Sequence, residues 1–150
     1  MKRTHFGFTL LELLIVITII AILAAAIIPN FVGFDAEAKV ATTQTNLNTL
    51  RTRVTLFRAK EGRYPETLEE LLTTTYDDMG VKRAYLEQTP RELLSSRGGS
   101  DDVESRTSES GLVGDGGWTY VKDKAKVVVD VTDPLDSKWG SYEGQNPSEW

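Results

Sequence analysis

The sequence predicts an α+β chain with a long, kinked N-terminal helix and a small antiparallel β-sheet head. Three observations predict this class. An almost uncharged apolar run covers residues 8–28, and a stripe of apolar residues at helical spacing follows between Val40 and Phe57. Residues 118–131 then alternate as two strands do. We therefore expect one helix from about Phe8 to Glu61 and a head over residues 63–150.

The apolar run has one unusual residue. Between Phe8 and Ile28 there are 21 residues, and Glu12 is the only charged residue among them. A helix of that length spans roughly 30 Å, which is the thickness of a bilayer core. A carboxylate inside such a segment costs on the order of 2.5–3.5 kcal/mol. We therefore expect residues 8–28 to span a membrane and Glu12 to have a cationic partner.

Two interpretations of the N-terminus do not explain Glu12. The basic residues Lys2 and Arg3, the apolar run and Ala24–Ala26 are typical of a secretory signal peptide that is cleaved near Ala26. They are equally typical of a membrane anchor that retains Met1. An acidic residue inside the apolar segment counts against both.

A third interpretation places the cleavage between Gly7 and Phe8. Residues 1–7 are then a basic leader, and the apolar helix stays on the mature protein. The new α-amino group has a pKa near ~8 and is mostly cationic at neutral pH. Glu12 lies one helical turn from that amine in its own chain and can equally meet the amine of a neighbouring chain. Pairing neutralises two charges that are each costly in apolar surroundings.

The hexapeptide Gly7-Phe8-Thr9-Leu10-Leu11-Glu12, with Pro29 after the apolar run, resembles the N-terminus of type IV pilins and type II secretion pseudopilins. The resemblance is close over about residues 1–35. It implies that a prepilin peptidase cuts after Gly7 and N-methylates Phe8, and that Glu12 pairs with the amine of an adjacent subunit during assembly. The fold that it implies is a pilin-like one.

The resemblance also implies partners and a location. The partners are further copies of the chain in a helical homopolymer, minor pilins or pseudopilins, the prepilin peptidase and an inner-membrane assembly platform. The chain is expected to cross the inner membrane once before assembly. After assembly it is expected in a periplasmic or extracellular filament.

Pro29 interrupts the helical pattern. A proline there removes the backbone hydrogen bond to the carbonyl of Ala25 and clashes with that turn. The membrane helix either ends at this point or continues with a kink, and the resemblance favours a kink. Residues 29–62 then form the amphipathic half of the helix, which we expect to end near Gly62 because glycine is favoured after a helix C-terminus.

Basic residues are concentrated near the end of this helix, where Glu61 is the only acid among them. They are Arg51, Arg53, Arg58, Lys60 and Arg63. Binding of nucleic acid is one interpretation, but no aromatic stacking residues are interleaved apart from Phe57, which belongs to the apolar stripe. The net charge of −5, which becomes about −7 once the leader is lost, also argues against it. A solvated face or salt bridges to acidic neighbouring subunits are favoured.

The head contains three predicted segments. Residues 64–72 predict a turn and a short helix with Pro65 near its start and Leu68, Leu71 and Leu72 buried. Residues 95–117 are polar and predict a long loop. The strands within 118–131 predict an antiparallel hairpin that packs against the helix stripe and forms most of the core.

The residue types present exclude several kinds of catalysis. The chain has no cysteine, and its single histidine, His5, lies in the leader. The mature chain then has neither residue, which excludes catalysis by cysteine, histidine-assisted nucleophilic catalysis and the usual zinc sites. A pair of carboxylates stays open as a catalytic arrangement, but the pattern indicates no pocket, and we do not expect an enzyme. Calcium is the one cofactor that the sequence suggests. Its ligands would be Asp133 and Asp136, since calcium is bound by oxygen atoms.

The resemblance bears on calcium as well. Major pseudopilins often have an Asp-Pro-Trp-Gly-like segment in a calcium-stabilised loop, whereas here Asp133-Pro134 is separated from Trp139-Gly140.

The lack of cysteine differs from many type IV pilins, in which a disulfide closes the C-terminal region. The predicted function is therefore a pseudopilin subunit in protein secretion. The alternatives are a type IV pilin for adhesion, motility or DNA uptake, and a secreted or membrane-anchored binding protein that does not polymerise.

Overall fold

A computed structural model describes residues 8–27, 34–95 and 99–150 of the chain. Its contacts divide the chain into two compact units, of which the first ends at Asp35 and the second covers Ala36–Trp150. Helices come first along the chain and short strands follow, which confirms the predicted α+β class.

The first helix, α1, covers Leu10–Ile27. Thr18 is one of its two polar residues, and its hydroxyl donates to the carbonyl of Leu14 at 2.7 Å. Within the described residues, none of the helices combines the length and the apolar character that crossing a membrane requires. The predicted span over residues 8–28 stays a prediction.

The second helix, α2, covers Phe34–Glu61 and buries the stripe that the sequence predicted. Its buried residues are Val40, Thr43, Leu47, Leu50, Val54 and Phe57. Thr43 is polar, and its hydroxyl accepts a hydrogen bond from the backbone N–H of Leu93 at 3.0 Å, which ties a loop of the head to the helix. Gly62 follows with a φ of 74°, and its N–H donates to the carbonyl of Arg58, so the predicted helix end is confirmed.

The short helix of the head, α3, covers Glu70–Thr73 and begins later than predicted. The carbonyl of Pro65 accepts a hydrogen bond from the buried hydroxyl of Tyr120 at 2.9 Å instead of one from a helical N–H. Leu68 and Leu71 are buried as predicted, whereas Leu72 is half-buried. The sequence signals for a helix start at Pro65 therefore mark a turn, and the helix follows it.

A hairpin that the sequence analysis did not predict follows α3. Strands β1 (Thr75–Asp78) and β2 (Val81–Ala84) pair antiparallel. Met79 and Gly80 form the two-residue turn and both have positive φ, at 54° and 86°. This is the type I′ geometry, whose twist matches that of paired strands.

Three further strands in the described residues form one sheet in the order β3-β4-β5. They are β3 (Val103–Arg106), β4 (Trp118–Val121) and β5 (Lys126–Val129). The antiparallel pairing of β4 with β5 confirms the predicted hairpin. Its turn contains Ala125 in the left-handed conformation, with a φ of 49°.

The loop predicted over residues 95–117 needs correction, because β3 lies inside it and pairs parallel with β4. The strand sequence Val-Glu-Ser-Arg has a single large apolar residue, so composition alone indicates a loop. Its pairing comes from the backbone, with Val103 opposite Trp118. The sheet is consequently mixed, and not purely antiparallel.

The hairpin packs where the sequence predicted. Val127 and Val129 belong to the same buried cluster as Val40 and Phe57 of α2. A short turn at Pro147–Glu149 also contacts β5. Val127, Val128 and Val129 are each at most 1% exposed, so both faces of β5 are covered.

A buried glutamate organises the loop between β2 and β3. Glu92 is fully buried, and its carboxylate accepts hydrogen bonds from the backbone N–H groups of Leu94, Ser95 and Gly117. Its own backbone pairs with that of Ser100 in an isolated bridge. A buried carboxylate is tolerated only when its oxygens are satisfied, as they are here by backbone donors. The bonds join the loop to the start of β4.

Candidate assembly site at the N-terminal helix

Glu12 is bonded to Thr9 at the start of α1. The backbone N–H and the hydroxyl of Thr9 both donate to Oε2 of Glu12, at 2.9 and 3.0 Å. In return, the Thr9 hydroxyl accepts from the backbone N–H of Glu12 at 3.1 Å. Thr9 therefore caps the helix, and Glu12 in its third position completes a capping box. The pair satisfies N–H groups that otherwise have no partner at a helix start.

The geometry leaves part of the carboxylate available. Both bonds from Thr9 end on Oε2, and Oε1 of Glu12 has no hydrogen bond to any residue that the structure describes. One oxygen can thus hold the helix start while the other accepts a bond from a cationic group. Thr9 is uncharged, so its hydrogen bonds do not neutralise the carboxylate of Glu12. The predicted need for a cationic partner therefore stands.

The capping role of Thr9 was not predicted from the sequence. The signal was present, since Ser or Thr followed three residues later by Glu ahead of an apolar run is the pattern of a capping box. The prediction for Glu12 rests on its charge alone. Its local role follows equally from the spacing between Thr9 and Glu12.

The apolar side chains of α1 over residues 10–26 are exposed, apart from the half-buried Ala24. Phe8 before the helix is 73% exposed, and Leu10 and Ile22 within it are 87% and 64% exposed. An apolar surface of this kind marks a site of protein or membrane contact. Since Thr18 is satisfied inside the helix, Glu12 is the residue of α1 that keeps unused polar capacity.

One side of α1 has a shallow groove. The residues that line it are Ile17, Thr18, Ala21, Ile22 and Ala25. Ala21 and Ala25 are four positions apart and therefore lie on the same face of the helix. Small residues at this spacing permit a second apolar helix to approach closely.

Two of the predicted site residues lie outside the described residues. They are Gly7, before the predicted cleavage point, and Pro29, at the predicted kink. Cleavage after Gly7, methylation of Phe8 and the kink therefore stay predictions.

The two aspartates predicted as calcium ligands lie after β5 and are both exposed. Asp136 uses Oδ1 to accept the backbone N–H of Lys138 at 3.1 Å and Oδ2 to pair with its ammonium at 3.3 Å. Among the described residues, no group of three or more acidic or histidine side chains is arranged to hold a metal ion. Calcium binding by Asp133 and Asp136 stays a prediction.

Comparison with known proteins bears most directly on this end of the chain. Residues 2–28 match the family described as the prokaryotic N-terminal methylation motif. The chain is 46% identical over 65 residues to the type IV major pilin protein PilA of Myxococcus xanthus, covering 43% of this chain and 30% of that protein. No solved structure matches the chain significantly.

Proteins of secretion systems are similar as well. The chain is 32% identical over 71 residues to the type II secretion system core protein G of Dickeya chrysanthemi, covering 47% of this chain and 46% of that protein. It is 40% identical over 65 residues to the type IV major fimbrial protein FimA of Dichelobacter nodosus, covering 42% of each. The chain thus spans less than half the length of each of these three relatives.

Proposed function

We propose that this chain is a structural subunit of a helical filament. It carries the N-terminal methylation motif and is similar to type IV pilins and type II secretion core proteins. The filament that we favour is the pseudopilus of a type II secretion system. The proposal rests on the motif at residues 2–28 together with the position of Glu12. Glu12 lies at the start of an exposed apolar helix, and its Oε1 is unused by the described residues.

The first step of the proposed pathway is maturation. The precursor lies in the inner membrane through the apolar residues 8–28, with its basic leader on the cytoplasmic side. A prepilin peptidase removes residues 1–7 and methylates Phe8. The α-amino group of Phe8 then carries a positive charge at the position where the helix begins.

The second step is docking. An assembly platform in the inner membrane brings the subunit to the growing filament, where α1 enters a bundle of identical helices. Oε1 of Glu12 accepts a hydrogen bond from the amine of a neighbouring subunit, while Thr9 keeps Oε2 in place. Both charges are then paired inside an apolar bundle, where an unpaired charge is strongly unfavourable. Minor pilins or pseudopilins join the same filament through the same helix.

The similarity to two pilin proteins favours a second candidate, a type IV pilin for adhesion, motility or DNA uptake. Cleavage, docking and the role of Glu12 are the same in both. The two differ in where the filament is found and in what its loss does to the cell.

Replacement of Glu12 tests the docking step. We expect Glu12→Leu to insert into the membrane and to be cleaved normally but to form few or no filaments, as counted by electron microscopy of cells. Glu143→Leu is the matched control, because it makes the same change at an exposed carboxylate of the head. Filaments of normal number and length from Glu12→Leu would contradict the docking role.

Deletion of the chain separates the two candidates. A pseudopilin deletion is expected to stop secretion of type II substrates and to leave surface pili unchanged. A pilin deletion is expected to remove surface pili and to leave secretion intact. Re-expression of the wild-type chain should restore whichever activity was lost.

A further inference from the structure

We infer that a basic groove beside α2 binds an acidic segment of a second copy of this chain. The basic groove is the cleft whose charged lining includes Arg53 of α2 and Lys82 and Arg83 of β2. This inference rests on the proposed filament function and adds to it a contact between heads.

The groove has the size of a binding site. Its volume is about 640 Å³, and it runs from Thr49 and Arg53 on α2 to the segment that ends at Pro90. Sites that bind small molecules have volumes of roughly 300–1,000 Å³. The Tyr76 ring forms part of its wall. The groove is therefore large enough for several side chains of a partner.

Arg53 is the distinctive member of the basic residues that the sequence placed near the end of α2. The other four have partners inside the chain: the Val127 carbonyl for Arg51, the Tyr64 ring for Arg58, the Tyr76 ring for Lys60 and the Glu70 carboxylate for Arg63. Arg53 has no hydrogen bond, ion pair or ring contact to any residue in the described ranges. Arg53 is half-buried and lines the groove, and its guanidinium donors are unused by the described residues.

The charge of the groove is opposite to that of the chain. Lys82 also has no charged partner among the residues described, and Arg83 pairs with Asp78 at 3.2 Å. Glu87 is the one carboxylate in the lining. The groove thus carries excess positive charge on a chain whose net charge is −5. The guanidinium of arginine matches a carboxylate with two parallel N–H donors, so an acidic partner is favoured.

The same chain presents a suitable acidic surface. Asp101, Asp102 and Asp115 are exposed, and Asp102 and Asp115 line a cavity of about 280 Å³ beside β3 and β4. The groove and this acidic surface share no lining residue. A contact between them therefore joins different surfaces of two copies and repeats from copy to copy, as a helical polymer requires.

The expected contribution of one contact is small, since exposed ion pairs are weak. In a filament the contact recurs at every subunit, and each subunit is already held by its N-terminal helix. The second contact then forms within an assembled structure, where the effective concentration is high. Charge complementarity also fixes which surfaces meet. We expect the contact to set the orientation of neighbouring heads.

Disulfide cross-linking tests the contact directly, because the chain has no cysteine of its own. Thr49→Cys places a thiol in the groove, and Val113→Cys places one in the lining of the acidic cavity, in each case without removing a charge. Full-length chains that carry both changes should form a ladder of cross-linked oligomers in cells after mild oxidation. The pair Thr49→Cys and Glu143→Cys is the control and should give no ladder, because Glu143 lies outside both linings.

Charge reversal shows whether the contact depends on the charged side chains of the two surfaces. Arg53→Glu in the double-cysteine chain should reduce the ladder about fivefold or more, and Asp101→Arg added to it should restore the ladder. Lys138→Glu makes the same charge change away from the groove and should leave the ladder unchanged. A ladder that survives Arg53→Glu would overturn the inference.

The remaining outcomes separate this inference from the proposed function. Wild-type filaments without a ladder between Thr49→Cys and Val113→Cys would refute the head contact and leave the filament function standing. Absence of wild-type filaments would refute both. Binding of a short DNA duplex by the full-length chain in detergent, lost in Arg53→Glu, would assign the groove to nucleic acid and overturn the inference.

Discussion

Thr9 and Glu12 each satisfy the other's backbone N–H group at the start of α1, at 3.1 and 2.9 Å. The first prediction concerns this pair. Thr9→Val keeps the shape of the side chain and removes the hydroxyl, so we expect the helix start to lose about 1 kcal/mol. Hydrogen exchange of the Glu12 amide in the full-length chain in detergent measures this, and the rate should rise about fivefold.

Thr9→Ser is the matched control because serine retains the hydroxyl that caps the helix. Its exchange rate should stay close to that of the wild type. Equal exchange rates in Thr9→Val and Thr9→Ser would show that the capping box does not hold the helix start.

The second prediction concerns the buried carboxylate of Glu92. Glu92→Gln places an amide where the carboxylate accepts three backbone N–H groups, so at least one donor faces another donor. We expect the free energy of unfolding to fall by about 1–3 kcal/mol. Urea unfolding of the full-length chain measures it, with the exposed Glu87→Gln as a control expected to change it little. A Glu92→Gln chain as stable as the control would contradict the role of Glu92.

The third prediction separates steric clash from backbone strain. Gly117 has a φ of 88°, and a Cβ atom there would lie 2.5 Å from the carbonyl oxygen of Asp102. Gly144 has a φ of 78°, and a Cβ atom there would meet nothing within 4 Å. Gly117→Ala adds a backbone clash to the strain that both changes share, and should be the more destabilising by more than about 1 kcal/mol. Equal losses in thermal unfolding of the two variants would show that the backbone at Asp102 moves away from the added Cβ atom without cost.

The fourth prediction concerns alkaline pH. Burial raises the pKa of Tyr120 to about 12, and negative charge on Glu66 adds to the effect. The unfolded chain has a tyrosine pKa near ~10, so the folded state holds this proton more tightly. The stabilisation is complete below the unfolded pKa and is lost as pH rises from about 10 to about 12. Tyr120→Phe has no such proton.

The measurement for Tyr120 compares unfolding free energies of wild type and Tyr120→Phe along this pH range. The difference between them should be constant at neutral pH and should shrink above a pH of about 10. A difference that stays constant up to a pH of about 12 would mean that Tyr120 ionises as easily in the folded state as in the unfolded state.

Much of the fold could be predicted from periodicity. In the α2 stripe from Val40 to Phe57 and in the β4–β5 hairpin, apolar residues recur at the spacing of a helix or of a strand. That spacing indicates both the type of element and the face that is buried. Strand β3 could not be predicted in the same way. Val103 is its one large apolar residue, and its position depends on parallel pairing with β4, which is a contact between distant parts of the chain.

The candidate site was predictable in its charge but not in its geometry. The cost of a carboxylate in an apolar run identified Glu12, whereas the bonds from Thr9 required attention to helix capping. The basic groove was out of reach of the sequence, because Arg53 and Lys82 are brought together only by the unpredicted β1–β2 hairpin. A local sequence pattern therefore indicated Glu12, whereas the basic groove is formed only by the tertiary structure.

The proposed filament function depends on cleavage between Gly7 and Phe8. Mass spectrometry of the N-terminal peptide of the chain, purified from cells that assemble it, tests this most directly. We predict a peptide that begins at Phe8 and carries one added methyl group on its α-amine. A peptide that begins at Met1, or one that begins after Ala26, would contradict it.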